Sequence, residues 1–268
     1  MSREARRGSG ARLALHYLSF NLSAGMEYRT SFVIQVLGMI LNNASFIVFW
    51  LILYSRLGQS IRGYGFGDVM FLWALSAAGF GLAAVFLGNA PYLSRAIYSG
   101  ELDVYLLQPK PVLANFLLSR MSISGWGDLA YGLVLFVFTQ ALTLAHVLLF
   151  LIFSLLMALV LVALRVLYHS LTFFLGNAEE LAGMASEVVL SFALYPGSIF
   201  EGPSVYLLHT LIPAALVAYI PARLFQSFDP ATMALLLAGD LAIMGAALLS
   251  FRLGLRVYAS ANRVGTRT

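Results

Sequence analysis

Charged and amide side chains are scarce in this sequence, so the few that stand inside its long apolar runs are where chemistry would concentrate. Asp128, Glu187 and Asp240 each fall in or beside a stretch with almost no other charge. An ionisable side chain in such a setting is a functional-site candidate by default, with burial against a polar neighbour as the competing role. For Asp240, structural burial is the expectation over a proton relay. Gln35, Asn42 and Asn43 interrupt another apolar run, with Phe46 and Phe49 close by. Amides and rings at that spacing suit the wall of a solute pathway, or hydrogen bonding between packed helices. None of the four histidines stands in an H-E-x-x-H pattern, so no metal site is expected. With no cysteine, disulfides, thiolate metal sites and thiol nucleophiles are excluded.

A second polar concentration lies between hydrophobic runs, in Pro91–Pro111, PYLSRAIYSGELDVYLLQPKP. Leu93, Ile97 and Tyr98 give its first part the apolar face of a short helix. Gly100 can stop that helix, and Glu101 to Leu107 can begin another with Glu101 and Asp103 near its positive end. Pro109 and Pro111 prevent the turn from running on. The segment, with Arg95 and Lys110, is either a loop whose charges stay in water or an element that receives a partner.

What holds these residues must be a membrane fold. The chain has 268 residues, 60% of them hydrophobic and 10% charged, against roughly 25% charged in soluble domains. A hydrocarbon core of about 30 Å needs about 20 apolar residues per helix. Spans are expected at 32–54, 69–90, 124–142, 146–168, 181–195 and 231–251, forming one transmembrane domain over 1–268. The charge-free run from Leu129 to Leu164 is too long for one crossing, so it should turn between Thr139 and His146. Ala77-Ala78-Gly79-Phe80-Gly81 should admit a close neighbouring backbone. Arg120 and Asp128, on one helical face, are a candidate pair. Residues 10–29 read as an amphipathic helix in the membrane surface, with Leu15, Leu18, Leu22 and Met26 on its apolar stripe. A cleavable signal peptide is not expected.

Charge sets the orientation. Arg3, Arg6, Arg7, Arg12 and Arg29 precede the first span, and Arg252, Arg256, Arg263 and Arg267 follow the last. Cytoplasmic loops carry the excess of arginine and lysine, so both ends should be cytoplasmic and the number of spans even. Residues 204–222, apolar but interrupted by Pro213 and containing His209, are then expected as a re-entrant hairpin between the fifth and sixth spans. Pro91–Pro111 falls on the cytoplasmic side.

Gly100-Glu-Leu-Asp-Val-Tyr-Leu-Leu-Gln-Pro109, followed by Leu117-Leu118-Ser119-Arg120, resembles the G-t-L-E-x-L-L-x-x-P signature after the second helix of ABC-2 type permeases. Glu27-Tyr28-Arg29, Tyr195-Pro196, Ile212-Pro213 and Ile220-Pro221-Ala222 resemble the subfamily in which paired permeases accompany a separate ATPase. The resemblance spans about residues 10 to 260. Asp103 departs from it, standing where the signature has Glu.

The resemblance implies an all-α fold of six transmembrane helices in the bacterial inner membrane, with a cytoplasmic coupling helix between spans 2 and 3. Arg95, Gly100, Glu101, Leu102, Asp103, Tyr105, Leu106, Leu107 and Pro109 would couple it to ATPase subunits, and a second permease copy or sister permease would complete a dimer. Gln35, Asn42, Asn43, Phe46 and Phe49 would line the path for an exported hydrophobic or amphipathic compound, amid membrane lipids and with no nucleic-acid partner. A P-loop requires G-x-x-x-x-G-K-[ST], and the only lysine here is Lys110, flanked by prolines. ATP and Mg are therefore expected on the partner, with no cofactor and no catalytic residue on this chain. An ion-coupled secondary transporter, a membrane-embedded enzyme and a non-transporting scaffold are the alternatives.

Overall fold

The computed structural model describes residues 3–57, 60–61, 63–200, 202, 208 and 212–258. Glu201, Pro203, most of 204–211 with His209, Arg62, Arg263 and Arg267 lie outside the described residues. Among the described residues the regular structure is helical apart from one two-stranded hairpin, β1 (Ser60–Ile61) with β2 (Tyr64–Gly65), which pair antiparallel.

Helix α1 (Arg3–Glu27) begins earlier than expected and leads directly into α2 (Arg29–Leu57), the first long apolar helix. After the hairpin, α3 (Phe66–Phe86) forms the centre of the molecule, with Val69 to Gly79 buried throughout. Its first turn is closed by Asp68, whose carboxylate accepts the Gly65 N–H at 2.8 Å, an acid at the positive helix end. A short 3-10 turn (Ala90–Tyr92) and three brief helices follow: α4 (Leu93–Ser99), α5 (Leu102–Leu106) and α6 (Val112–Leu118). Helix α7 (Ser124–Thr139) returns along α3, and the chain turns before α8 (Leu144–His169) as the polar residues there suggest. Thr143 caps α8, its hydroxyl accepting the His146 N–H.

Glycine sets how closely these helices approach. A Cβ on Gly81 would lie 2.6 Å from the Leu129 nitrogen, and one on Gly132 would lie 2.6 Å from the Ala78 nitrogen. The backbones of α3 and α7 therefore touch along the Ala77–Gly81 segment, the small-residue mode of membrane packing. Gly127 does the same toward α2, where its Cβ would meet the Val36 carbonyl.

After α9 (Thr172–Leu175), α10 (Glu179–Ala193) starts with Glu179 and Glu180 in its first turn. The second half of the expected re-entrant segment is irregular: a π-helical turn over Ala215–Tyr219 leads into α11 (Ile220–Gln226), with Pro221 in its first turn. Ala214, Ala215, Val217 and Ala218 are fully buried, so broken backbone is held inside protein. Helix α12 (Pro230–Val257) closes the described chain.

Among the described residues, four helical stretches are long and apolar enough to cross a membrane: Arg29–Arg56, Phe66–Phe86, Leu144–Leu175 and Pro230–Val257. Those at the expected third and fifth crossings have 16 and 15 residues, a rise of only about 24 Å. The core divides in two. One cluster surrounds Phe71, Phe153, Trp50 and Phe225. The other, around Leu93, Leu102, Phe116 and Phe251, lies behind α4 and α5.

Candidate functional site

The segment 91–111 folds into a helical elbow. Gly100 ends α4 in the left-handed region (φ 80°), which non-glycine residues adopt only at a cost. The bend lets α4 and α5 each keep one face on the inner core while the other stays free. Leu93, Ala96, Ile97 and Leu102 are buried there, against Val162 and Val166 of α8 and Phe251 of α12. Outward stand Arg95 and Glu101, with Tyr98, Val104 and Leu107 exposed by 65%, 60% and 88%. Leu106 and Pro109 are exposed as well, while Asp103 and Tyr105 are half-buried. Charged groups interleaved with exposed apolar ones make a surface suited to a protein partner.

Four polar ties fix the elbow to the rest of the chain. Ser94 is fully buried; its hydroxyl lies 2.7 Å from His169 Nδ1 and accepts the Thr172 hydroxyl at 2.9 Å. That latch joins α4 to the end of α8 and the start of α9. At the far end, Tyr17 of α1 donates to Asn115 Oδ1 (2.7 Å), and Asn115 donates to Gln108 Oε1 (2.9 Å). Tyr105 is held by Ser119, hydroxyl to hydroxyl at 2.9 Å, and its ring meets Phe116 edge-on. Asp103 lies close to the hydroxyl of Tyr258, just past α12; burial, reinforced by that carboxylate, pushes the Tyr258 pKa up to about 12. The elbow is thus linked to α1, α8 and the residue that follows α12.

Inside the helical body, a cavity of about 290 Å³ gathers residues distant in sequence. Asn42, Asn43 and Phe46 come to it from α2, Asp128 from α7 and Glu187 from α10. Asn43 Nδ2 donates to Asp128 Oδ1 at 2.6 Å, and both residues are buried, while Glu187 is exposed. Trp73 and Phe80 of α3 form the opposite wall, and the Phe46 and Trp73 rings lie 4.5 Å apart. Carboxylates beside aromatic faces attract organic cations. Among the described residues, no group of histidines and acids suited to a metal ion occurs.

A family model described as ABC-2 family transporter protein matches residues 40–262. The chain belongs to the ABC-2 family of transporter proteins. The match includes the elbow and every cavity residue just named. No curated protein and no solved structure matches the chain.

Not every expected residue of this ABC-2 permease joins the cavity. Gln35 instead borders a second cavity nearer the elbow, with Arg120 and Arg165, and Phe49 faces outward beside Arg56. Asp240 is 3% exposed, and neither carboxyl oxygen meets a hydrogen-bond partner among the described residues; it borders no described cavity. The expected Arg120–Asp128 pair does not form. Asp128 turns to Asn43, while Arg120 stacks over the Tyr92 ring at 4.0 Å, because the non-helical stretch before Ser124 takes Arg120 off the axis of α7. Sequence reasoning missed Ser94, His169, Asn115 and Arg165. Asn115, a lone amide in the apolar Val112–Leu118, and Arg165, a lone charge at the end of a long apolar run, carried a local signal.

Proposed function

We propose that this ABC-2 permease is the transmembrane subunit of an exporter of hydrophobic or amphipathic compounds, driven by ATPase subunits on separate chains. The observation that carries the reading is the elbow: a mixed polar and apolar outer face with an inner face packed against α8 and α12. Force applied by a nucleotide-driven partner at Glu101, Val104 and Leu107 would pass through Leu102 and the Ser94–His169–Thr172 latch to the long helices.

In this reading the chain crosses the inner membrane six times, α7 and α10 being short crossings completed by neighbouring polar turns, and both termini are cytoplasmic. Two permeases face each other, as a homodimer or with a sister chain. Helix α2 supports that arrangement: only 11% of its apolar stretch is buried within the chain. The cavity lined by Asn42, Phe46 and Glu187 lies on the substrate path. Its aromatic and acidic lining favours compounds that carry positive charge on an apolar frame. ATP and Mg bind to the partner, and this chain has no hydrolytic role.

The test is affinity purification of the tagged chain from native membranes, with ATPase assay of the complex and transport assay in vesicles. A copurifying P-loop subunit, lost when Glu101→Lys and Leu107→Asp are combined, supports the reading. Export driven by an ion gradient without ATP and abolished by Asp240→Asn would replace it with the secondary-transporter alternative.

A further inference from the structure

The second cavity, about 470 Å³ in volume, lies between the start of α2, the end of α3, the loop before α7 and the end of α8. Its lining contains two arginines and no carboxylate among the described residues. Arg165 is only 8% exposed, with its guanidinium 5.2 Å from the centre of the Phe80 ring. Among the described residues, no oxygen accepts a hydrogen bond from it, and Glu187 reaches it only through the electrostatic field. A guanidinium offers five N–H donors; no Arg165 nitrogen is both sealed from solvent and unpartnered, so its free donors open onto the cavity that it lines. The ring and the distant carboxylate do not satisfy those donors.

The surroundings point to what does. Arg120 enters the same space from its stack on Tyr92. Ser122 and Ser124 line the wall where the 16-residue α7 begins, so the positive end of a helix dipole adds to the two guanidiniums. Two planar forks and a helix N-terminus match a tetrahedral oxyanion, for which arginine is the side chain of choice. Gln35 stands at the α2 wall, and beyond it Val33, Ile34 and Leu37 are 51%, 64% and 52% exposed. That stripe is apolar and uncovered within this chain, and it occupies the first turns of α2, where acyl chains would run beside the facing permease.

We propose that this cavity binds a phosphate group, with Arg165 and Arg120 as its guanidinium ligands. The apolar stripe on α2 favours presentation of that phosphate as the head group of a lipid in the adjacent leaflet. The proposal does not depend on an ATPase partner or on export, because it concerns a site formed by this chain alone.

The test is native mass spectrometry of the full chain in detergent, with dioctanoyl phosphatidylglycerol, dioctanoylglycerol and inorganic phosphate as probes. Phosphatidylglycerol should be retained and dioctanoylglycerol, which lacks the phosphate, should not. Losing one charge-assisted contact should weaken retention by on the order of tenfold in Arg120→Gln and in Arg165→Gln. Arg165→Lys should retain part of the affinity, and Arg56→Gln, outside the cavity, all of it. Binding of inorganic phosphate with the same arginine dependence, in the absence of lipid binding, would keep the phosphate site and assign it to a free anion. Should Arg165→Gln aggregate, Arg120→Gln carries the test, since Arg120 is exposed. Retention of every probe unchanged in both glutamine variants, or equal retention of dioctanoylglycerol and phosphatidylglycerol, would overturn the proposal.

Discussion

Asn43 of α2 and Asp128 of α7, 85 positions apart, meet through a 2.6 Å hydrogen bond at the edge of the cavity between α2, α3, α7 and α10. The second Asp128 oxygen finds no partner among the described residues, so Asn43 alone satisfies this buried acid. Helix α2 is lightly covered within the chain, and this contact joins the close approach of Gly127 to Val36 and the buried Trp50 in fixing where that helix lies.

Asn43→Ala should therefore destabilise the protein by about 1–3 kcal/mol, the cost of leaving a buried polar group unpaired. Asn43→Ala combined with Asp128→Ala should cost less than the sum of the single changes, because the double variant leaves no orphaned carboxyl. Denaturation in detergent micelles measures both. Strict additivity would show that the two residues do not act as a pair.

The glycines predict a contrast between two positions. Gly132→Val places atoms where the Ala78 nitrogen already sits, and overpacking of this kind costs about 1–3 kcal/mol or more. Gly245 in α12 has nothing within 4 Å of its Cβ position, so Gly245→Ala should be neutral or slightly stabilising, by up to about 1 kcal/mol. Comparing the detergent melting profiles of the two variants checks the α3–α7 contact directly. Equal tolerance would mean that these helices do not pack so closely.

The latch behind the elbow gives a functional prediction. Ser94 is buried and away from the partner face, so Ser94→Ala should leave ATPase association intact. It removes the bonds to His169 and Thr172, so the elbow should follow the ATPase while α8 does not. Binding preserved with transport reduced is the expected split. Loss of association would place Ser94 in the interface instead.

The outer face makes the opposite prediction. Glu101→Lys or Leu107→Asp changes groups that support nothing inside the permease, so melting should not move by more than about 0.5 kcal/mol, as for ordinary surface changes. Copurification of the ATPase should fall. A loss of stability without a loss of binding would reverse the roles assigned to the two faces.

Much of the architecture was legible because it rests on local signals. Uninterrupted apolar runs located the long helices, Gly100 marked the bend of the elbow, and Thr139–His146 marked a turn. Small residues at Ala77–Gly81 indicated close packing, which Gly132 and Gly125 of α7 answer. The cavity was half legible: Asn42, Asn43, Phe46, Asp128 and Glu187 were recognisable one by one as misfits in apolar runs. That they converge depends on how three helices pack, and no spacing encodes it. Arg120 shows the limit, since its offset from Asp128 suits a helical pair but the stretch before Ser124 is not helical. The Ser94–His169–Thr172 latch was invisible, as it joins common residues across 75 and 78 positions.

In the proposed transporter the elbow faces the cytoplasm and is covered by an ATPase. The sequence has no cysteine, so Glu101→Cys provides a single reactive thiol at its most exposed acidic position. Labelling with a membrane-impermeant maleimide should fail in intact spheroplasts, succeed in inverted vesicles, and be slowed when the ATPase is bound. Labelling from the outside of spheroplasts would contradict the claim.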